Sequence, residues 1–300
     1  MPKVIVTGAN GFVGKHLVNE LRNNNYEVLA VGGRDSAGEL TLDLRKADEA
    51  KKIDFTDVFG VFHLAGLAAV GPSFDNPEEY MQTNVGIQTN LFEAALAQGV
   101  KPRFLIISSG SLYDPKAELP LTESSAVLPS SPYAASKVAQ EENALGYAKQ
   151  GFESIIARPF NHVGPGQNPG FIVPDLAQQI IACEKSEAIE ILVGNLDAQR
   201  DYTDVRDIAR AYRLLLEKGV PGETYNICSG RALSGNDILS GLLKASEVNA
   251  PTKEDPAKIR PADNPVIYGS HDKLTKATGW QPEIPIENTF ADVIADWRIR

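Results

Sequence analysis

The stretch that most constrains this chain runs over residues 3–22. Lys3-Val4-Ile5-Val6-Thr7 reads as a short buried strand, and Gly8-Ala9-Asn10-Gly11-Phe12-Val13-Gly14 follows it directly. Residues 15–22 then carry the apolar spacing of a helix. Strand, glycine turn and helix form the context that a dinucleotide fingerprint requires. The glycines let the backbone turn tightly and approach a pyrophosphate, whose charge the helix N-terminus stabilises. The spacing is Gly-x-x-Gly-x-x-Gly rather than the commoner Gly-x-Gly-x-x-Gly. Gly8, Asn10, Gly11, Phe12, Val13 and Gly14 are therefore expected to line a dinucleotide.

Strands alternate with helices along the next 150 residues, which predicts a parallel, doubly wound α/β sheet. The second strand is expected over 26–31. At its end stand Gly32-Gly33-Arg34-Asp35, where such folds place either a carboxylate for the ribose of NAD or an arginine for the 2′-phosphate of NADP. Arg34 leans the expectation toward NADP, and Asp35 keeps NAD open. Residues 40–44 read as a third strand, with Asp43 beside Leu44. Asp43 either accepts from an adenine amino group or caps a following helix. Residues 57–66 form a buried strand running into Leu64-Ala65-Gly66, small enough for a nicotinamide-ribose to lie against the backbone. His63 within it reads as a satisfied interior histidine. A long helix follows from about residue 76 to 97, and Asn84 is a polar group in its apolar stretch that needs a partner. A water or a local kink at the cofactor is one reading of Asn84, and a plain core hydrogen bond is the other.

Residues 103–113 form the next strand and spill into hydroxyls at Ser108, Ser109 and Ser111. Ligands of open α/β sheets bind outside such strand ends. A Pro-rich loop leads into Tyr133-Ala134-Ala135-Ser136-Lys137. A tyrosine and a lysine four apart share one helix face. An ammonium beside a phenol favours the phenolate and lowers a pKa of about 10 toward the working range. A strand over 153–158 ends at Arg158 and opens a long Gly/Pro loop, residues 159–170. Loops of that length are usually functional or disordered. A helix over 174–184, a strand over 189–193, a helix over 208–216 and a strand over 224–227 complete the pattern, and residues after Ser229 read as a small α-rich cap.

Composition excludes several classes. The net charge of −10 speaks against a general nucleic-acid surface, so anions must be held by local arginines or helix N-termini. No apolar run reaches the roughly 18 residues of a spanning helix. The first residues lack a signal-peptide core, so the cytoplasm is the expected compartment. Cys183 and Cys228 do not make a disulfide scaffold, and the four histidines lack metal-ligand spacing, so no metal site is expected.

Four motifs in order, Thr7 to Gly14, Ser108-Ser109, Tyr133 with Lys137, and Arg158-Pro159-Phe160-Asn161, resemble the extended short-chain dehydrogenase/reductase family over essentially the full chain. The resemblance implies a doubly wound parallel Rossmann sheet with a smaller, interleaved α-rich substrate-binding lobe. Residues 1–160 and about 196–228 would form the NAD(P) domain, and 161–195 with 229–300 the nucleotide-sugar lobe. It implies that Tyr133 is the acid/base at a sugar C4 oxygen, that Ser109 hydrogen-bonds the same oxygen, and that Lys137 holds the nicotinamide ribose and lowers the phenol's pKa. Gly8, Asn10, Gly11, Phe12, Val13, Gly14, Arg34, Asp43, Leu44, Leu64, Ala65, Gly66, Asn84, Tyr133, Lys137 and Arg158 would face NADP or NAD. Ser109, Ser111, Asn161, Arg200 and Arg260 would face the substrate, the arginines by pairing with its diphosphate.

The family's sugar 4,6-dehydratases carry carboxylates after the active hydroxyl. Gly110 and Ser111 stand in those places here, and neither can carry the elimination. Hydride transfer at C4 remains. The segments 157–167, 193–196, 200–207, 225–230 and 255–261 resemble the subgroup of GDP-4-keto-6-deoxymannose reductases, and a nucleotide-sugar 4-epimerase is the alternative. A non-catalytic NADP sensor is more remote, since such proteins lose the Tyr or Lys. The family also leads us to expect a homodimer through helices over 85–96 and 133–147.

Overall fold

The computed structural model describes residues 1–33, 40–258 and 265–300. Seven strands make the main sheet. In chain order they are β1 (Lys3–Thr7), β2 (Glu27–Gly32), β3 (Leu40–Thr41), β4 (Val58–His63), β5 (Arg103–Ile107), β6 (Ser154–Pro159) and, after three strands outside this sheet, β10 (Thr224–Ile227). Those three are β7 (Asn161–Val163), β8 (Ile191–Val193) and β9 (Gln199–Asp204). The spatial order is β10-β6-β5-β4-β1-β2-β3, and every neighbouring pair is parallel. The chain therefore builds outward from β1 in one direction and from β4 in the other. The switch between them opens a crevice beyond the C-terminal ends of β1 and β4, where ligands of such sheets bind.

Side-chain alternation makes two cores, one on each sheet face. Val4, Val6, Phe62 and Leu105 face one side with α1 (Phe12–Asn23) and, later in the chain, α7 (Val205–Lys218). Ile5, Val61, Phe104 and Ile106 face the other, against Leu91 and Phe92 of a long helix and Tyr147 of its neighbour. Between α1 and those two lie the short turns α2 (Ala47–Ala50) and α3 (Val70–Ser73). The long helix is α4 (Pro77–Ala97), its neighbour is α5 (Pro132–Ala148), and α6 (Ile172–Glu184) follows. Phe92 stacks on Tyr147 with ring centroids 4.4 Å apart, which locks the two helices into one layer.

Among the described residues, Leu40 and Thr41 are the strand that pairs with β2; the Leu42 N–H still donates to the Gly32 carbonyl at 3.1 Å, and the chain then turns at Leu44, with both leucine side chains in the core. The helix expected over 208–216 begins earlier, because Asp204 caps it by accepting from the Arg206 N–H at 2.7 Å. The helix expected from residue 174 starts at Ile172, which puts Pro174 in its first turn, where a missing N–H costs nothing. The strand expected from 189 starts at Ile191.

A third core lies apart from the sheet. Val173, Leu176 and Ile180 of α6 pack with Leu239 and Leu242 of α8 (Gly235–Ser246). After α9 (Asp272–Thr278), Phe290 and Val293 of α10 (Ile286–Ile299) complete it. Short strands trim this layer: β9 pairs with β7, with β11 (Ala232–Ser234) and with β13 (Val266–Ile267), and β8 pairs with β12 (Thr252–Glu254). Not all of the last third stays here. Leu274 of α9 and Trp280 belong to the sheet-side core, where the Trp280 indole N–H donates to the Asp207 carbonyl at 3.0 Å.

Candidate active site

The glycine turn sits at the switch point, and two of its glycines are demanded by contact. Gly8 has φ +69°, and a Cβ there would lie 2.9 Å from the Ala65 nitrogen. A Cβ on Gly14 would stand 2.2 Å from the Gly8 carbonyl oxygen. The turn is thus pressed against the Leu64-Ala65 backbone leaving β4. Asn10 Oδ1 is buried, and among the described residues nothing hydrogen-bonds to it. A close backbone cradle, a helix N-terminus and an acceptor awaiting a donor are what a dinucleotide's pyrophosphate and ribose would meet, so the residues fit that group.

Two expected cofactor residues are otherwise engaged. Asn84 Oδ1 accepts from the Leu67 N–H at 2.7 Å, and its amide donates to the Leu67 carbonyl at 3.1 Å and Ser136 Oγ at 2.9 Å. Helix α4 runs through it unbroken, and these core hydrogen bonds let Asn84 brace the loop after β4. The Arg158 guanidinium is buried and pairs twice with Glu141, at 2.8 and 2.6 Å, while lying 4.9 Å from the Tyr113 ring centroid. It is an interior ion pair behind β5, because burial leaves its charge no better partner.

Asp43 is a third case. Its carboxylate accepts from the Arg45 backbone and twice from the Arg45 guanidinium, at 2.8 and 2.9 Å. The hydrogen bond from Arg45 holds its pKa down at about 2. Lys46, not Asp43, is the residue before α2, so the capping alternative is not realised. Arg34 and Arg260 lie outside the described residues. Arg200 is on β9, and Asn161 is exposed on β7, where it pairs with Tyr202 of β9.

The expected catalytic groups lie between α5 and the segment that follows β5. Ser131 caps α5 by accepting from the Ala134 N–H at 3.1 Å, and Pro132 opens it. Tyr133 is therefore in the first turn and Lys137 one turn on, both buried. Ser109 lies two residues beyond the end of β5, where it caps a short 3₁₀ turn (Gly110–Leu112). Its Oγ accepts from the Ser111 N–H at 3.1 Å and bonds Ser111 Oγ at 2.8 Å. Burial raises the Tyr133 pKa, and the neighbouring Ser109 hydroxyl partly offsets the rise. The expected lowering by Lys137 is absent. Lys137 Nζ lies 5.8 Å from the Tyr133 ring centroid and donates instead to the Ile107 carbonyl and Gln140 Oε1, each at 2.9 Å. Burial itself brings Lys137 down to about 8.

Three more features shape the site and were not read from the sequence. A Cβ on Gly110 would lie 2.9 Å from the Phe160 ring, and one on Gly269 would lie 2.6 Å from it. Phe160 also stacks on Tyr113 at 6.4 Å, so the ring is held on three sides. The loop after β6 folds over the glycine turn: His162 stacks on Phe12 at 6.1 Å, and His16 Nε2 bonds the Pro165 carbonyl at 2.9 Å. Below Lys137 runs a buried polar chain, Gln140, His63 and Thr7. Gln140 is three residues beyond Lys137, so it shares that helix face, and a polar residue on a buried stripe was the available signal.

Comparison with known proteins agrees with this geometry. Residues 4–228 match the model of the NAD dependent epimerase/dehydratase family, and the chain belongs to that family. It is 36% identical to the GDP-6-deoxy-D-mannose reductase of Pseudomonas aeruginosa, over 99% of this chain and 98% of that one. A UDP-glucose 4-epimerase of Pisum sativum is 29% identical over 97% of this chain and 94% of its own length. Among solved structures, RMD from Pseudomonas aeruginosa complexed with NADPH superposes with a TM-score of 0.92 at 35% identity, covering all of both chains.

Proposed function

We propose that this chain reduces the C4 ketone of a nucleotide-linked 4-keto-6-deoxyhexose, namely GDP-4-keto-6-deoxymannose, to GDP-rhamnose or its C4 epimer. The observation that carries the reading is a buried Tyr133 beside the Ser109 hydroxyl, in a strand end with no carboxylate at positions 110 and 111. NADPH or NADH, held by the Gly8–Gly14 turn and Lys137, would supply the hydride for C4. Tyr133 donates its proton to the C4 oxygen, so ketone becomes alcohol, and Ser109 hydrogen-bonds that oxygen as charge develops on it. Lys137 keeps the ribose in register, and the Gly8–Gly14 turn receives the pyrophosphate.

The similarity to a reductase of known GDP-sugar name and to an NADPH complex supports GDP-sugar and NADP over the alternatives. Asn161, Arg200 and Arg260 are our choices for the sugar and diphosphate. We assign the sheet layer to the cofactor and the α6, α8 and α10 layer to the nucleotide sugar. Supplying GDP-4-keto-6-deoxymannose and following NAD(P)H absorbance tests the reading. No consumption with either cofactor overturns it.

The similarity to UDP-glucose 4-epimerases keeps a second reading, a 4-epimerase that recycles tightly held NAD. Stoichiometric NAD released on denaturing the purified protein would favour it, and a freely exchangeable cofactor would reject it. We also infer a cytoplasmic homodimer joined through α4 and α5, whose outer faces carry the exposed Met81 and Leu145. Light scattering tests the mass, and cell fractionation the compartment. Among the described residues no helix is long and apolar enough to cross a membrane.

A further inference from the structure

The carboxamide of Gln140 stands between Lys137 and the strand that leads into the glycine turn. Its Oε1 accepts from Lys137 Nζ at 2.9 Å. Its Nε2 faces three acceptors: the Asn84 carbonyl at 3.0 Å, Gln88 Oε1 at 3.2 Å and His63 Nε2 at 3.4 Å. An amide can be turned over, exchanging its oxygen and nitrogen. Turned over here, it would set N–H donors against an ammonium and an oxygen against three acceptors. The partners therefore fix its orientation.

The same logic reaches His63. Taking Nε2 as an acceptor toward the Gln140 amide assigns the proton to Nδ1, which then donates to Thr7 Oγ1 at 3.0 Å. Thr7 Oγ1 also accepts from the Ala65 N–H at 3.2 Å. A protonated His63 would push an N–H against the Gln140 amide, and relieving that clash would turn the Gln140 oxygen away from Lys137. A charged Lys137 and a neutral His63 thus require each other, and Gln140 is the link. Gln88 holds the link from α4, donating to the Gln140 carbonyl at 2.8 Å and to Asn143 Oδ1 at 2.9 Å.

We propose that Gln140 is a positioning residue for Lys137: backed by His63, it fixes the ammonium at the end of β5 and sets the pH at which that ammonium loses its proton. The inference rests on the role given to Lys137 under the proposed function. The groups facing Lys137 are few. Helix α5 contributes Tyr133, Gln140 and Glu141, β4 contributes His63, and β5 contributes the Ile107 carbonyl. Glu141 is the one anion of this set, and Arg158 of β6 already pairs with it. A single oriented dipole therefore carries weight. Burial lowers Lys137 to about 8 against the opposing charge of Glu141, and burial together with the charge on Lys137 lowers His63 to about 3.

The test compares the full chain with Gln140→Leu and the near-isosteric Gln140→Glu. The titration of Lys137 is followed by the ¹³Cε resonance in lysine-labelled protein, identified by its loss in Lys137→Met. The pH profile of kcat/KM is recorded alongside. Gln140→Leu is expected to lower the Lys137 midpoint by about one pH unit, and Gln140→Glu to raise it by a similar amount. The alkaline limb of the rate profile should follow both. Midpoints that stay put in both variants, with only a lower melting temperature, would overturn the proposal. If Gln140→Leu does not fold, the direction of the Gln140→Glu shift decides alone. Absence of turnover on GDP-4-keto-6-deoxymannose would sink the substrate assignment, and the resonance midpoints would still decide on Gln140.

Discussion

Gly110 and Phe160 fit one another by contact: the place a Cβ would take at position 110 is 2.9 Å from the Phe160 ring. The ring cannot retreat, since Gly269 and Tyr113 hold its other sides. The chain therefore lacks an eliminating carboxylate at 110 for a packing reason as well as a sequence reason. Gly110→Ala is expected to cost about 1–3 kcal/mol of stability by overpacking. It should also depress kcat/KM, because Ser109 precedes the displaced turn. Adding Phe160→Leu should recover part of both losses. Urea unfolding and steady-state rates measure this, and a Gly110→Ala protein as stable and active as the parent would refute the coupling.

Tyr133→Phe removes the acidic proton and leaves the ring in place. Turnover should fall by roughly 10²–10⁴. Cofactor affinity, read by fluorescence quenching, should stay close to the parent's, because the glycine turn is untouched. Retained turnover would take Tyr133 out of the acid role.

Glu141 anchors two groups, Arg158 and the Ser108 hydroxyl, the latter at 2.5 Å. Glu141→Leu strands a buried guanidinium, and such losses run to about 3–5 kcal/mol. The double variant Glu141→Leu/Arg158→Met should be less destabilised than Glu141→Leu, since no charge is left unpaired. Equal unfolding free energies for the single and double variants would contradict this account of the pair.

His63 predicts a pH dependence of stability. Burial, with the Lys137 charge behind it, holds the folded pKa at about 3 against an ordinary 6.5. Below pH 6.5 the unfolded chain takes up a proton that the folded chain refuses. This contribution to stability is complete above about pH 6.5 and is lost progressively down to about pH 3, at up to about 1.4 kcal/mol per unit. His63→Asn should flatten that part of the slope between pH 7 and 4.5 in urea titrations, even if it lowers stability overall. An unchanged slope would mean that other groups carry it.

The sheet, the glycine turn and the placing of Tyr133 beside Lys137 were legible because their signals are local. Gly8, Gly11 and Gly14 lie within one turn, and Tyr133 and Lys137 within one helical repeat, so spacing alone places them together. The partners of Arg158 and Asn84 were not legible. A sequence shows that a polar group is buried and needs a partner, but not whether Glu141 or Ser136 already fills that need or a ligand must. Phe160 was hidden for a similar reason: the contacts that hold it come from positions 110, 113 and 269, brought together only by the fold. Residues 42 and 44 misled in the other direction. Two leucines at strand spacing are both buried, one just past the strand and one in the following turn, because the core accepts apolar side chains whatever backbone delivers them.

Trp280 bears on how the chain can be divided. It lies beyond α6 and α8 of the second layer in sequence, yet its side chain fills the sheet-side core and its indole is tied to Asp207. The carboxylate of Asp207 in turn accepts from the N–H groups of Glu283 and Ile284, both at 2.9 Å. Cutting after Ser229 would therefore do more than remove a cap. It would take Leu274 and Trp280 out of the sheet-side core and leave Asp207 without those two donors. The two layers are separable to the eye but not to the chain, so neither can be exchanged as a cassette without carrying residues 272–284 along with the sheet.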